Sequence, residues 1–217
     1  KNFLIKLEKK TKNDFNNLNT LDKEFIDQMQ NFYFQEQKKY QKNKSSKIVI
    51  DKLPLNIIHV GEILRFFPDA KFVFALRHPY DSVLSCFMQQ FILNPAMKNF
   101  LSIESSAFLY DLVMKLWTIY RETFSINFHV IKYEDIVSNF EKTTKEVFEY
   151  LDLDWTEQTK DFYLTAKNRI NISTPSYNQV TSPIYSKSVS RWKNYERYFK
   201  NSKEYLDKWV NQFNYEL

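Results

Sequence analysis

The sequence predicts an α/β fold in which a three-layer parallel sheet carries helices on both faces. Short apolar runs alternate with stretches of helical periodicity along most of the 217 residues. The apolar runs are continuous rather than alternating, which is typical of parallel strands buried on both faces. A chain of this length fits one domain. We expect a helical N-terminal segment over residues 1–45 and a core over 46–217 within that single domain.

The predicted strands are the apolar runs at 48–50, 72–76 and 128–131. Lys52 follows the first run and Arg77 follows the second. In open α/β sheets, ligands bind at the carboxyl ends of the strands. We therefore expect Lys52 and Arg77 to face the same ligand-binding edge.

The predicted helices are recognised by their apolar spacing and their end signals. Thr20 is the predicted cap of a long helix that runs toward Tyr40, and Pro54 is predicted to start the next helix. The remaining helices are predicted near 79–91, 108–120, 140–151, 190–200 and 203–214.

Composition excludes several function classes. The single cysteine, Cys86, cannot form an internal disulfide or a multi-cysteine metal site. A single glycine, Gly61, cannot supply a glycine-rich phosphate loop. The net charge of +5 suits an anionic ligand, and no recognised module for nucleic-acid binding accompanies it. Apolar runs are too short for a membrane span, and we expect a cytoplasmic protein.

The segment from Lys71 to Ser85 is the most informative part of the chain. Its apolar run ends at Arg77, Pro79 suits the first turn of a helix, and Asp81 complements the positive end of that helix. Ser85 follows about two turns into the helix, so its hydroxyl can face back toward the Arg77 guanidinium. This arrangement predicts a phosphate site. The alternative is an ordinary strand–helix junction with an exposed arginine.

Hydroxyl groups and cations are concentrated between Ser182 and Tyr195, immediately before a predicted amphipathic helix. Such a segment can fold over a bound nucleotide, with hydroxyl and amide groups capping a phosphate and aromatic side chains anchoring the segment. The alternative is a capped C-terminal helix whose cations lie in water.

Together these elements resemble the sulfotransferases that use 3′-phosphoadenosine 5′-phosphosulfate (PAPS). The likeness is greatest to the domains linked to tetratricopeptide repeats and to the tyrosylprotein sulfotransferases. The resemblance implies that Arg77 and Ser85 bind the 3′-phosphate of the nucleotide. It also implies that the segment before Trp192 completes the phosphate pocket. The residues carried over in that segment are Lys187, Ser188, Ser190 and Arg191.

Two further residues take roles from the resemblance. Lys52 lies in Asp51-Lys52-Leu53-Pro54, which is similar to the family's Asp-Lys-x-Pro segment, and is expected to stabilise the sulfuryl group during transfer. Tyr133, in the Tyr-Glu-Asp context, is expected to pack on the adenine. The alternatives are a solvated Lys52 and a core Tyr133 whose hydroxyl donates to a backbone carbonyl.

The resemblance covers about residues 46–200 and implies a fold like that of the P-loop nucleotide hydrolases. The family's first strand and its 5′-phosphosulfate loop have no counterpart here, so we expect the chain to be a fragment, with a repeat region or other portion upstream. PAPS is the implied donor, adenosine 3′,5′-bisphosphate the product, and no metal is implied. The acceptor hydroxyl could belong to protein tyrosine, a saccharide or a small molecule. The alternative function is a non-catalytic module that binds nucleotides or proteins.

Overall fold

The computed structural model describes residues 2–12, 14–40, 48–167 and 181–217. The structure is a mixed α/β fold, mostly helical with a small parallel sheet. It divides into two compact units, Lys1–Ala70 and Lys71–Leu217. The predicted single domain, with a segment boundary at residue 45, stays a prediction. Each unit has a hydrophobic core of its own.

The first unit is helical throughout its regular structure. Its helices are α1 (Asn2–Thr11), a 3₁₀-helix (Phe15–Thr20), α2 (Lys23–Lys38), a 3₁₀-helix (Pro54–His59) and α3 (Val60–Phe66). Leu7, Leu21, Met29 and Phe66 form its buried core. Arg65 ties α3 to the segment before α2, since its guanidinium donates to the carbonyl oxygens of Leu18 (3.0 Å) and Leu21 (2.8 Å).

The start of α2 corrects one sequence prediction. The cap is Asp22 rather than Thr20, because the Asp22 carboxylate accepts a hydrogen bond from the backbone N–H of Phe25 at 2.7 Å. Thr20 instead ends the preceding 3₁₀-helix, and its hydroxyl donates to the carbonyl of Asn17. Both residue types are good caps, so the sequence alone does not choose between them.

The predicted strand at 48–50 is wrong. These residues have irregular backbone, and the side chains of Ile48 and Ile50 are 50% and 76% exposed. A run of three apolar residues carries no periodicity that separates a strand from an extended loop. The predicted helix start at Pro54 is confirmed, although its first turns are 3₁₀ rather than α.

The second unit contains the sheet and the longest helix. Its elements are β1 (Phe72–Leu76), α4 (Pro79–Met88), a 3₁₀-helix (Met97–Leu101), α5 (Ile103–Thr123), β2 (Phe128–Lys132), α6 (Tyr133–Ser138), α7 (Phe140–Tyr150), a 3₁₀-helix (Glu157–Asp161), α8 (Phe162–Lys167), a 3₁₀-helix (Arg191–Ser202) and α9 (Lys203–Gln212).

Strands β1 and β2 pair in parallel, with Phe72 opposite Phe128 and Leu76 opposite Lys132. Trp117 of α5 packs on Phe74 and on Phe128, with ring centroids 4.8 and 5.2 Å apart. These strands were predicted, and helices contact the pair as the fold class requires. The larger three-layer sheet stays a prediction.

The opposite face of the sheet meets α7. The ring of Tyr150 stacks on His129 at 5.3 Å, and its hydroxyl accepts from the backbone N–H of Phe72. Because successive side chains of a strand alternate between faces, His129 lies on the other side from Phe128.

Helix α4 and the C-terminal helices share the main core of the second unit. Tyr80, Phe199, Leu206 and Val210 are at most 1% exposed within it. This packing fixes the start of α4, and therefore the residues just after β1, against the C-terminal part of the chain.

Helix ends in the second unit differ modestly from expectation. Helix α4 ends at Met88 rather than near residue 91, and the predicted helix near 190–200 is a 3₁₀-helix. Residues 168–180 lie outside the described residues. Within residues 2–12, 14–40, 48–167 and 181–217, no helix combines the length and the apolar character needed to cross a membrane.

Candidate functional site

Arg77 immediately follows β1, where the sequence places it. Its guanidinium lies over the ring of Tyr133, 4.9 Å from the ring centroid, and its Nη2 donates to the backbone carbonyl of Ser188. The side chain is 21% exposed. Its Nε is buried and has no hydrogen-bond partner in the described part of the chain. Arg77 thus keeps donor capacity at the carboxyl end of the strand.

Asp81 lies on the first turn of α4 and is 1% exposed. Its Oδ1 accepts from the backbone N–H of Trp192 at 2.8 Å, and its Oδ2 lies 3.9 Å from Nη2 of Arg77. Burial raises the pKa of the Asp81 carboxyl above its ordinary value, and the Trp192 hydrogen bond and the Arg77 charge offset this rise only in part. The carboxylate therefore joins α4 to the C-terminal 3₁₀-helix.

A cavity of about 370 Å³ opens between these elements. Its lining combines charged and hydroxyl-bearing side chains with aliphatic and aromatic ones. Its lining consists of Arg77, Asp81, Leu84, Ser85, Met88, Tyr133, Ile136, Phe140, Phe162, Ser182, Pro183, Ile184, Tyr185, Ser188 and Arg191.

Arg77 and Ser85 border the same cavity, as the phosphate-site hypothesis requires of their positions. Asp81 and Ser85 are four residues apart on α4, so they share a helix face. Ser85 is an exposed residue that lines the cavity. The structure thus brings the predicted cation and hydroxyl to one concave surface.

The predicted closing segment divides into two groups. Ser188 and Arg191 line the cavity, whereas Lys187 and Ser190 are exposed residues outside its lining. Ser190 has φ 55° and ψ 22°, a left-handed conformation that is unfavourable for a residue with a Cβ. The turn at Ser190 directs the chain into the 3₁₀-helix and leaves Arg191 beside the cavity.

Tyr133 begins α6 directly after β2. Its ring lies against the Arg77 guanidinium, and its hydroxyl donates to the carbonyl of Tyr185 at 3.4 Å. The hydroxyl contact is the one expected of a core tyrosine. The ring also borders the cavity, so the predicted packing on adenine stays a prediction.

Glu134 and His78 connect the turn after Arg77 to the C-terminal part of the chain. One oxygen of Glu134 accepts from the backbone N–H of His78 at 3.0 Å, and the other accepts from the Tyr215 hydroxyl at 2.9 Å. The His78 ring stacks on Trp192 and has Nε2 2.9 Å from the Glu216 carbonyl oxygen. Burial lowers the pKa of the His78 imidazole. The turn after Arg77 is therefore held by residues near the end of the sequence.

Lys52 belongs to the first unit, in irregular and exposed backbone before the 3₁₀-helix at Pro54. Its predicted role near the sulfuryl group stays a prediction.

Across the described ranges, no three histidine, cysteine or acidic side chains cluster closely enough to hold a metal ion.

Sequence reasoning missed the tertiary contacts of Asp81 and Glu134. Asp81 was interpreted only as a complement to the helix end, and Glu134 entered only through the Tyr-Glu-Asp context of Tyr133. The spacing of four residues between Asp81 and Ser85 is a signal that these two share one side of α4. The partners Trp192 and Tyr215 are far away in the sequence, and local pattern cannot identify them.

The fold has a clear structural relative. A solved structure titled "Sulfotransferase Domain from the Curacin Biosynthetic Pathway" is similar with a TM-score of 0.61 and 15% sequence identity. The match covers 87% of this chain and 69% of that one. At this identity the likeness shows the fold, which is sulfotransferase-like.

The family is shown by the sequence itself. Residues 5–157 match the family model described as "Sulfotransferase family". The match spans more than half of the chain, and the chain therefore belongs to the sulfotransferase family. The family-level resemblance inferred from the motifs is confirmed.

A curated relative comes from Aquifex aeolicus (strain VF5), where it is named "Uncharacterized protein". It is 28% identical over an alignment of 162 residues, and the match covers 69% of this chain and 19% of that protein. The chain thus spans about a fifth of the length of this relative.

Proposed function

We propose that this chain is a PAPS-dependent sulfotransferase domain that transfers a sulfuryl group to an acceptor hydroxyl. The single observation that carries the proposal is the convergence of Arg77 and Ser85 on one cavity beside α4. Family membership supports the reaction class. The donor and the acceptor are inferred from the resemblance.

The hydrogen-bond donors that line the cavity suit a 3′-phosphate. Arg77 offers a planar fork of N–H groups, and its Nε has no partner among the described residues. Ser85 adds a hydroxyl group, and Arg191 adds a second guanidinium at the rim. A dianionic phosphate is a strong acceptor for such charge-assisted hydrogen bonds. Phe140 and Phe162, which also line the cavity, offer an aromatic surface for a nucleoside.

In this proposal the residues of the chain have four tasks. Arg77 and Ser85 hold the 3′-phosphate, and Tyr133 packs on the adenine. Lys187, Ser188, Ser190 and Arg191 form the closing segment over the nucleotide. Lys52 stabilises charge on the sulfuryl group and the bridging oxygen. PAPS, when bound, supplies the activated sulfuryl group, and the chain contributes chiefly position and charge.

Finer assignments belong to the same proposal. We place the chain in the branch linked to tetratricopeptide repeats or tyrosylprotein sulfation, with the three-layer fold of the P-loop type. The acceptor is a tyrosine, a saccharide or a small alcohol, and the reaction takes place in the cytoplasm without a metal. Adenosine 3′,5′-bisphosphate is the expected product.

Calorimetric titration with adenosine 3′,5′-bisphosphate tests the proposal. We expect binding to the parent protein and none detectable with Arg77→Ala, because truncating one member of a desolvated charge pair costs about 2–5 kcal/mol. Arg197→Ala is the charge-matched control, since Arg197 is exposed and outside the cavity lining. No heat with the parent, or equal heat with Arg77→Ala, rejects the nucleotide site.

A non-catalytic nucleotide-binding module is the second candidate. Gly61 is the single glycine among the 217 residues and lies in α3. The 217 residues therefore contain no glycine-rich loop for a 5′-phosphosulfate. Transfer of labelled sulfate from PAPS to tyrosine peptides, saccharides or small alcohols separates the candidates. Nucleotide binding without transfer favours the module.

A further inference from the structure

The buried carboxylate of Asp81 contacts both Arg77 and the backbone of Trp192. It is 1% exposed, and its two carboxylate oxygens face different elements. Oδ1 accepts the backbone N–H of Trp192 at 2.8 Å. Oδ2 is buried, lies 3.9 Å from Nη2 of Arg77, and has no hydrogen-bond partner among the described residues.

The contact with Trp192 holds the turn that brings Arg191 to the cavity. Ser190 precedes it in a left-handed conformation, which is unfavourable for a residue other than glycine. Such a conformation persists only where the surroundings determine it. Trp192 is also buried against Tyr80 and His78, with ring centroids 4.6 and 5.2 Å apart.

The contact with Arg77 limits where the guanidinium can point. Tyr133 covers one face of the guanidinium, and the Ser188 carbonyl accepts from Nη2. Asp81 supplies the nearby negative charge, and together the three partners define one orientation. In that orientation Nε is buried and has no hydrogen-bond partner among the described residues.

We propose that Asp81 is the positioning residue of the anion site: it fixes the Arg77 guanidinium and, through the backbone N–H of Trp192, holds Ser188 and Arg191 at the same cavity. This inference rests on the proposed function, because it assigns the phosphate of the nucleotide to that site. Asp81 itself acts through Arg77 and Trp192 and not on the reacting atoms.

The test compares two nucleotides that differ only in the 3′-phosphate. Affinities for adenosine 3′,5′-bisphosphate and for adenosine 5′-monophosphate are measured by calorimetry, and their ratio reports the 3′-phosphate contact. In the parent protein we expect the bisphosphate to bind on the order of tenfold to a hundredfold more tightly, as charge-assisted hydrogen bonds would give. In Asp81→Ala we expect the ratio to fall at least about tenfold.

Two variants separate positioning from general stability. Asp81→Asn retains an oxygen that can accept the Trp192 N–H, so its ratio is expected between those of the parent and Asp81→Ala. Asp111→Ala is the matched control, because Asp111 is also a buried aspartate, 2% exposed, that accepts from a tryptophan (Trp209 Nε1, 2.8 Å) outside the cavity lining. Asp111→Ala is expected to lower the melting temperature and leave the nucleotide ratio unchanged.

The outcomes are distinct. A parent protein that binds both nucleotides equally, or neither, contradicts the proposed function. A parent that prefers the bisphosphate, with an equal preference in Asp81→Ala, overturns the positioning role alone. The positioning role is also overturned if the ratio of the two nucleotide affinities falls as much in Asp111→Ala as it does in Asp81→Ala. If Asp81→Ala does not fold, Asp81→Asn carries the test, and a ratio equal to that of the parent then contradicts the proposal.

Discussion

Arg77 shows how far a single residue can be placed from the sequence. The apolar run before it and Pro79 after it predict a strand–helix junction, and the structure has one. The sequence did not predict that Ser188, 111 residues away, would accept from its guanidinium. Contacts over such a distance depend on the tertiary fold, which no local pattern encodes.

His78 is the residue for which we predict a dependence on pH. Burial lowers the pKa of its imidazole from 6.5, although the Glu216 carbonyl and the charges of Asp81 and Glu134 raise it; Lys193 lowers it further. The unfolded chain therefore binds a proton at pH values where the folded chain does not. The contribution of His78 to stability is therefore fully present above pH 6.5, and it is lost as the pH drops toward the pKa of His78 in the folded protein.

Urea unfolding at about pH 7.5 and about pH 5.5 measures this effect. We expect the parent to lose more stability between the two conditions than His78→Gln, whose side chain does not titrate. An equal loss in both proteins would show that His78 does not contribute.

At the scale of elements, strong periodicity was the reliable signal. Helix α5 was predicted from its apolar spacing, and β1 and β2 from continuous apolar runs bounded by polar residues. The run at 48–50 failed because three apolar residues fit several backbone conformations. The 3₁₀ geometry of Arg191–Ser202 was also missed, because residues every third or fourth position satisfy both helix types.

The C-terminal 3₁₀-helix is held mainly by its buried aromatic side chains. Phe199 is 0% exposed and packs on Tyr80 of α4 at 4.9 Å, whereas its neighbour Tyr198 is 53% exposed. We expect Phe199→Ala to lower the free energy of unfolding by about 3–5 kcal/mol, because a large cavity is left in the core.

Tyr198→Ala is the matched control and is expected to change stability by less than about 1 kcal/mol. Both values come from chemical denaturation followed by circular dichroism. Similar losses in the two variants would contradict the packing described for this helix.

At the scale of the whole molecule, the chain has two compact units, each with its own core. The sequence carries no glycine-rich or low-complexity linker near Ala70 that would indicate this boundary. The described cavity is built entirely by residues of the second unit, from Arg77 to Arg191. The net charge of +5 favours an anionic ligand only in general, and the local arrangement supplies the specificity.

Separate cores predict separate responses to core substitutions. Met29 is 3% exposed in the core of the first unit, with Leu7, Leu21 and Phe66. We expect Met29→Ala to destabilise by about 2–5 kcal/mol and to accelerate amide hydrogen exchange mainly in α1, α2 and α3. Exchange that accelerates equally in β1, α4 and α5 would contradict independent cores.

A crystal structure of the protein with adenosine 3′,5′-bisphosphate tests the central claim most directly. We predict that the 3′-phosphate lies within hydrogen-bond distance of both the Arg77 guanidinium and the Ser85 hydroxyl, with the nucleoside toward Phe140 and Phe162. A nucleotide bound elsewhere, or one whose 3′-phosphate contacts neither side chain, would contradict it.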